Sequence, residues 1–75
     1  MKELVELIAK SLVDNPDEVH VNEVSGEQSI ILELKVSPED MGKVIGKQGR
    51  IAKAVRTVVK AAALKENKRV VVEII

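Results

Sequence analysis

Residues 44 to 50 read Val44-Ile45-Gly46-Lys47-Gln48-Gly49-Arg50. Two glycines stand three positions apart, with two polar residues between them, at the junction of two helical patterns. Glycine has no Cβ, so such a turn leaves its backbone N–H groups open and lets another backbone come close. A lysine inside the turn and an arginine after it add positive charge. The heptapeptide therefore predicts a turn that meets a sugar–phosphate backbone, and a nucleic acid as the ligand.

The segment before this turn is typical of one helix and two strands. Apolar periodicity predicts a helix through Leu12 that ends before Pro16, because the residue preceding a proline is pushed out of the α region. Alternation of apolar and polar residues predicts strands at 19–22 and 30–36. A short turn at residues 25–27 should pair these strands antiparallel.

A short helix should lead into the glycines. We expect Ser37 to cap its free N–H groups and Pro38 to occupy its first position. Gly46 is suited to end this helix. The buried face of the short helix is predicted to consist of Met41, Val44 and Ile45.

A longer helix should begin near Gly49, fade by residues 65–67 and lead into a strand at 70–75. At 100° per residue, one apolar arc of this helix holds Ile51, Val55, Val58, Val59 and Ala62. A separate arc holds the cations Arg50, Lys53, Arg56 and Lys60. The element order α-β-β-α-α-β predicts an α+β fold, with the helices on one face of a three-stranded sheet and a single domain over residues 1–75.

Charge is divided unevenly along the 75 residues, although the net charge is zero. Residues 1–41 hold three lysines and ten carboxylates, whereas residues 42–75 hold nine cations and two carboxylates. Local potential steers a polyanion, so the basic half predicts a binding face, although solvation alone also explains many charge runs. No cysteine, signal peptide or membrane-length apolar run is present, and we expect a cytoplasmic protein with no membrane contact.

Two familiar phosphate-binding loops do not fit the turn. The P-loop needs Gly-x-x-x-x-Gly-Lys-Ser/Thr after a strand, and the dinucleotide fingerprint needs a third glycine after a strand. The pattern that remains is helix–Gly-x-x-Gly–helix, the clamp with which KH domains hold about four nucleotides of single-stranded backbone.

The motif and the element order resemble the type II KH-domain family. A free-standing domain in which this motif is followed by Ile-Ala-Lys-Ala-Val-Arg is similar to the KhpA family of bacterial RNA-binding proteins, over essentially all 75 residues. Ala52 departs from the pattern, because KH signatures often place a bulky aliphatic residue there. That departure puts the width of the base-binding groove in doubt.

The resemblance implies that the glycines allow close approach and that Lys47 and Gln48 reach phosphates, with Ile45 supporting one wall of the groove. The implied RNA-binding residues are Lys43, Ile45, Gly46, Lys47, Gln48, Gly49, Arg50, Lys53 and Arg56. It also implies a homodimer, or a heterodimer with a KhpB-like KH protein, acting as an RNA chaperone or post-transcriptional regulator. Gly46 as a plain helix C-cap, and Lys53 and Arg56 as merely solvated side chains, are the alternatives.

The chain has no aromatic residue, so bases cannot stack on Phe, Tyr or Trp, and binding should show low sequence specificity. Nothing predicts an enzyme, a metal site or a small-molecule cofactor. His20 is the only histidine and should lie on the surface of a strand. The alternative from another class is a protein-interaction adaptor that keeps the KH fold and acts through a partner protein.

Overall fold

A computed structural model describes residues 1–75 and contains three helices and three strands. Their bounds are α1 Lys2–Leu12, β1 His20–Ser25, β2 Ser29–Lys35, α2 Met41–Ile45, α3 Arg50–Lys65 and β3 Arg69–Ile74. Single 3₁₀ turns lie at Pro16–Glu18, Pro38–Asp40 and Lys47–Gly49. The order α-β-β-α-α-β is confirmed.

The sheet has the order β1-β2-β3. β1 and β2 pair antiparallel, as predicted, and the Gly26 N–H donates to the Ser29 carbonyl at 2.7 Å to close the hairpin. β2 and β3 pair parallel, because α2 and α3 form the crossover that returns the chain to the end of the sheet where β2 begins. β3 is therefore an edge strand with one side unpaired.

All three helices pack on one face of this sheet, as predicted. Leu32 of β2, Val5 of α1 and Val59 of α3 are completely buried in a single apolar core. Burying a side chain of this size stabilises the fold by roughly 1.5–3 kcal/mol. The opposite sheet face is open, and Val24, Ile31 and Val71 form one exposed cross-strand row on it.

The start of the short helix differs from the prediction. Ser37 is buried and its side chain caps no N–H group. Its carbonyl instead accepts the Asp40 N–H at 2.8 Å, so the segment begins as a 3₁₀ turn before α2. Ile45 was predicted to be buried but is 36% exposed, since the five-residue α2 buries only Val44.

The buried face of α3 is rotated from the prediction. Ala52 and Ala63 are buried, whereas Val58 is 48% exposed. The sheet and α1 together cover the helix on the side of Ala52, Val55, Val59 and Ala63, where small side chains allow close approach. Periodicity located an apolar arc, but the contacts that cover α3 decide which part of it is buried.

Candidate nucleic-acid interface

The glycine turn, residues 46–49, changes the direction of the chain between α2 and α3 by using three left-handed backbone conformations. Gly46 has φ 76° and its N–H donates to the Gly42 carbonyl at 2.8 Å, which ends α2. Gln48 has φ 58° and Gly49 has φ 75°. The Gly49 N–H donates to the Gly46 carbonyl at 3.1 Å, and α3 begins at the next residue.

The tip of the turn is open to solvent. The side chains of Lys47 and Gln48 are exposed. Among the hydrogen bonds outside the helices and strands, neither of their backbone N–H groups acts as a donor. A methyl group placed on Gly49 would meet nothing within 4 Å. Backbone donors, a cation and free space therefore lie together at the N-terminal end of α3, where the helix dipole also favours negative charge.

The two glycines have different surroundings. A methyl group on Gly46 would lie 2.5 Å from Ile51 Cγ1, so this glycine is required for the packing of the turn against α3. Gly46 is thus the C-cap of α2, which was the plainer of its two interpretations. Space for an approaching backbone exists at Gly49.

Three cations of α3 share the flank that faces β3, and we call Lys53, Arg56 and Lys60 the basic row. Arg56 Nε donates to the Val72 carbonyl at 3.3 Å, so this flank of α3 faces β3. Lys53 and Lys60 stand three and four residues away and therefore lie on the same side of the helix. Arg50, one turn before Lys53, stands at the start of this row and also borders an apolar groove of about 300 Å³ between α1 and α3.

The unpaired edge of β3 lies beside the basic row, since Arg56 of the row donates to the Val72 carbonyl. The Arg69 N–H donates to the carbonyl of Gln28, just before β2, and the Ile75 N–H donates to the carbonyl of Leu34 in β2, at 2.9 Å each. Odd-numbered residues of β3 therefore bond to β2, and the peptide groups of Val70, Val72 and Ile74 point to the open edge. The edge of β3 therefore offers backbone donors and acceptors beside the row of cations, apart from the Val72 carbonyl, which already accepts from Arg56.

Lys43 differs from the other predicted site residues, because its charge is already paired. Its Nζ forms ion pairs with Asp14 and, at 3.6 Å, with Asp40. The hydrogen bond to Asp14 raises the pKa of Lys43; burial lowers it, but the charges of both carboxylates reinforce the rise. Less of its charge is free for a phosphate than at Lys47.

Asp40 is 1% exposed and ties α2 to the end of α1. Burial raises the pKa of Asp40, but hydrogen bonds from the Asn15 side chain and from the backbone N–H groups of Asp14 and Asn15 outweigh burial, and Lys43 adds to them. The net pKa lies below its usual value. This buried carboxylate was not predicted, since its sequence position indicated only a helix N-terminus.

The structure brings the predicted site residues onto one end and one flank of the molecule, and Lys43 is set apart from the others by its ion pairs. The peptide groups of β3 were absent from the prediction, and Lys60, although predicted on the cationic arc of α3, was not among the implied RNA-binding residues. Lys60 was detectable, because it follows Arg56 by four residues. The open edge of β3 depends on the strand order β1-β2-β3, which the sequence did not predict.

Other kinds of site are not supported. His20 is exposed on β1, as predicted, and no group of three or more histidine, aspartate or glutamate residues is placed to hold a metal ion. None of the helices is both long and apolar enough to span a membrane.

Comparison with known proteins identifies the family. The model of the KhpA/KhpB KH domain matches residues 2–74. The chain belongs to this family. A KhpA/KhpB-family relative from Clostridium perfringens is 88% identical, and one from Clostridium acetobutylicum is 85% identical, each over all of both chains. A relative from Aquifex aeolicus is 56% identical over all of this chain and 95% of its own length.

All three relatives carry the name RNA-binding protein KhpA. The family is defined by a KH domain, which is a non-enzymatic fold, and the prediction that the chain is not an enzyme is confirmed.

Two solved structures share the fold of this family member. Aquifex aeolicus Era bound to GDP·AlF4⁻ superposes with a TM-score of 0.70 and 20% identity. Era in complex with MgGDPNP and nucleotides 1506–1542 of 16S ribosomal RNA gives 0.66, also at 20% identity. Each match covers 97% of this chain and 28% of Era, so the chain corresponds to a minor part of Era's length. At this identity the likeness shows the fold alone.

Proposed function

We propose that this chain binds single-stranded RNA, without catalysis, by holding the sugar–phosphate backbone at the glycine turn and along the basic row. One observation carries the proposal. The open turn, with the unused N–H groups of Lys47 and Gln48, stands at the start of the same helix whose cations face the unpaired edge of β3. The name shared by the relatives supports RNA as the ligand. In this proposal residues 1–75 act as one KH domain.

The expected mode of binding follows from the side chains present. With no aromatic residue to stack on bases, affinity rests on phosphate contacts, backbone hydrogen bonds and aliphatic packing. We therefore expect low sequence specificity and strong dependence on salt. If about three to five phosphates are neutralised, log K falls against log salt with a slope of roughly −2 to −3.5.

We further propose that the protein works in the cytoplasm as an RNA chaperone or post-transcriptional regulator, paired with a second KH module. A lone small module gains affinity when a second one is linked to it. Exposed apolar residues support self-pairing or pairing with a KhpB-like protein: Ile31 and Val71 on the open sheet face, and Val58 beside the α1–α3 groove. Sedimentation of the protein at rising concentration tests self-pairing, which a constant monomer mass contradicts; sedimentation of a mixture with a KhpB-like protein tests the second pairing.

The clamp is tested by replacing Lys47→Asp together with Gln48→Asp. Both side chains are exposed, and aspartate tolerates the left-handed backbone at position 48. The variant should keep the far-ultraviolet circular dichroism of the parent and lose binding to a labelled single-stranded RNA. A matched control, Lys2→Asp with Lys10→Gln, makes the same change in net charge on the exposed side of α1.

The protein-interaction adaptor remains the second candidate. The excess of carboxylates in residues 1–41 and the exposed apolar sheet row favour it. An adaptor has no need of Lys47 and Gln48. If the double variant and its control both bind RNA as the parent does, the clamp is wrong; if the parent itself binds no RNA, the adaptor is favoured. If only the control binds, RNA is held at the turn.

A further inference from the structure

A cavity of about 490 Å³ lies where α3 ends, β3 begins and β2 begins. Its volume falls within the range of about 300–1,000 Å³ that is usual for small-ligand sites. It stands at the opposite end of α3 from the glycine turn. The polar residues that line it are Gln28, Ser29, Lys60, Asn67, Lys68 and Arg69.

The chemistry of this end cavity suits a nucleotide. Lys60, Lys68 and Arg69 supply three positive charges, and none of them forms an ion pair in the structure. No carboxylate lines the cavity. The side-chain amides of Gln28 and Asn67 have no hydrogen-bond partner within the chain, and an amide can both donate to and accept from a base edge. The apolar part of the lining comes from Leu64 and Val70.

The walls of the cavity are held in place by backbone bonds. The Lys68 N–H donates to the Ala63 carbonyl at 3.0 Å, and Asn67 adopts a left-handed conformation with φ 55° that ends α3. The Arg69 N–H donates to the Gln28 carbonyl at 2.9 Å, which joins the start of β3 to the start of β2. These bonds fix the backbone on which the lining side chains stand.

The basic row connects this cavity to the glycine turn. Lys60 belongs both to the row and to the lining of the cavity. From Gly49 to Lys60 the helix rises by about 17 Å, at 1.5 Å per residue. A strand that is held at the turn and follows the row is led into the cavity.

We propose that the end cavity is a further nucleotide subsite for the same RNA strand. Lys60, Lys68 and Arg69 bind the phosphate, and the base packs on Leu64 and Val70 with its edge facing the two amides. This inference rests on the proposed RNA binding and extends it. It assigns protein residues to a nucleotide that lies beyond the approximately four nucleotides held by a KH clamp.

The test compares a labelled tetranucleotide with a labelled octanucleotide of RNA by fluorescence anisotropy. The cavity variant is Lys68→Ala with Arg69→Ala. Its control, Lys10→Ala with Lys65→Ala, removes the same charge from exposed positions outside the cavity. We expect the cavity variant to bind the octanucleotide about tenfold more weakly, since two solvent-exposed cations that pair with phosphate are removed, and to bind the tetranucleotide as the parent does. The control should match the parent on both.

A substitution that changes no charge separates the loss of a base contact from the loss of positive charge. Gln28→Ala should weaken octanucleotide binding and leave its salt slope unchanged, whereas the cavity variant should flatten that slope by about 0.7 for each phosphate that is no longer neutralised. The subsite is overturned if the cavity variant weakens both oligonucleotides equally, if it weakens neither, or if the control behaves in the same way.

The proposed clamp is judged by a different result. The Lys47→Asp and Gln48→Asp variant should lose both oligonucleotides. If it retains both while the cavity variant loses the octanucleotide, the clamp fails and the subsite stands. If the parent binds neither RNA, both proposals fail.

Discussion

Gly46 and Ile51 pack so tightly that a methyl group on Gly46 would lie 2.5 Å from Ile51 Cγ1. Gly46 also holds φ at 76°, a conformation that other residues rarely adopt. Gly49 has nearly the same φ, 75°, but nothing lies within 4 Å of its missing side chain. The first glycine is thus required by packing and by backbone conformation, and the second by backbone conformation alone.

Replacing these glycines should therefore have unequal effects. Gly49→Ala should cost roughly 1–2 kcal/mol of unfolding free energy, which is the strain of a left-handed residue with a Cβ. Gly46→Ala should cost about 1–3 kcal/mol more, because the methyl group displaces Ile51. Urea unfolding followed by circular dichroism measures both. Part of the destabilisation by Gly46→Ala should disappear when Ile51→Ala is added, and equal effects at the two glycines would contradict this account.

Arg56 should matter for stability as well as for binding. Its Nε donates to the Val72 carbonyl, a bond that contributes about 0.5–1.5 kcal/mol net, whereas Lys53 has no ion-pair or side-chain hydrogen-bond partner. We expect Arg56→Ala to lower the urea midpoint and to weaken RNA binding, and Lys53→Ala to weaken RNA binding only. Arg56→Lys keeps the charge and serves as the control for it. If Arg56→Ala unfolds at the parent's midpoint, the hydrogen bond to β3 contributes nothing.

Lys43 and Lys47 should respond in opposite ways. Lys43 is ion-paired with Asp14 and Asp40, and Lys47 forms no ion pair. Lys43→Met should therefore lower stability and leave the salt slope of RNA binding nearly unchanged. Lys47→Met should preserve stability and reduce the magnitude of that slope by about 0.7. Unfolding midpoints and anisotropy titrations at several salt concentrations separate the two effects. An equal reduction of the salt slope in the two variants would show that Lys43 also binds phosphate.

Asp40 should make stability depend on acid pH. The pKa of this carboxyl lies below its ordinary value of 3.8, so its contribution is present above that value and is lost as pH falls through the lower, folded-state pKa. Asp40→Asn should therefore unfold at lower urea than the parent at neutral pH. The difference between the two midpoints should narrow below about pH 3.8.

Asp17→Asn provides the control for this pH dependence. Asp17 is exposed and forms neither an ion pair nor a side-chain hydrogen bond. Asp17→Asn should unfold at the same urea midpoint as the parent at each pH tested. A difference between Asp40→Asn and the parent that persists unchanged into acid would show that the shape of the side chain matters there, and its charge does not.

The sequence by itself determined the order of the elements and the place of the turn. Period-two alternation separated β1 and β2 from the helices, and the two glycines placed the break between α2 and α3. These signals are local, because backbone conformation and the periodicity of burial are set by neighbours in the chain. The concentration of cations after residue 41 was likewise visible without a structure.

Only the tertiary structure decided which of these residues are free to meet a ligand. Arg56 donates a hydrogen bond to β3, Lys43 is paired with carboxylates from the end of α1 and from the turn before α2, and Arg50 borders the apolar groove between α1 and α3. Val58 is exposed while Ala52 is buried, because the sheet and α1 cover one side of the helix. A helical period fixes which residues share a face, but it does not say which element covers that face. The open edge of β3 and the end cavity likewise depend on β3 pairing with β2 at the edge of the sheet, which joins strands that are far apart in the chain.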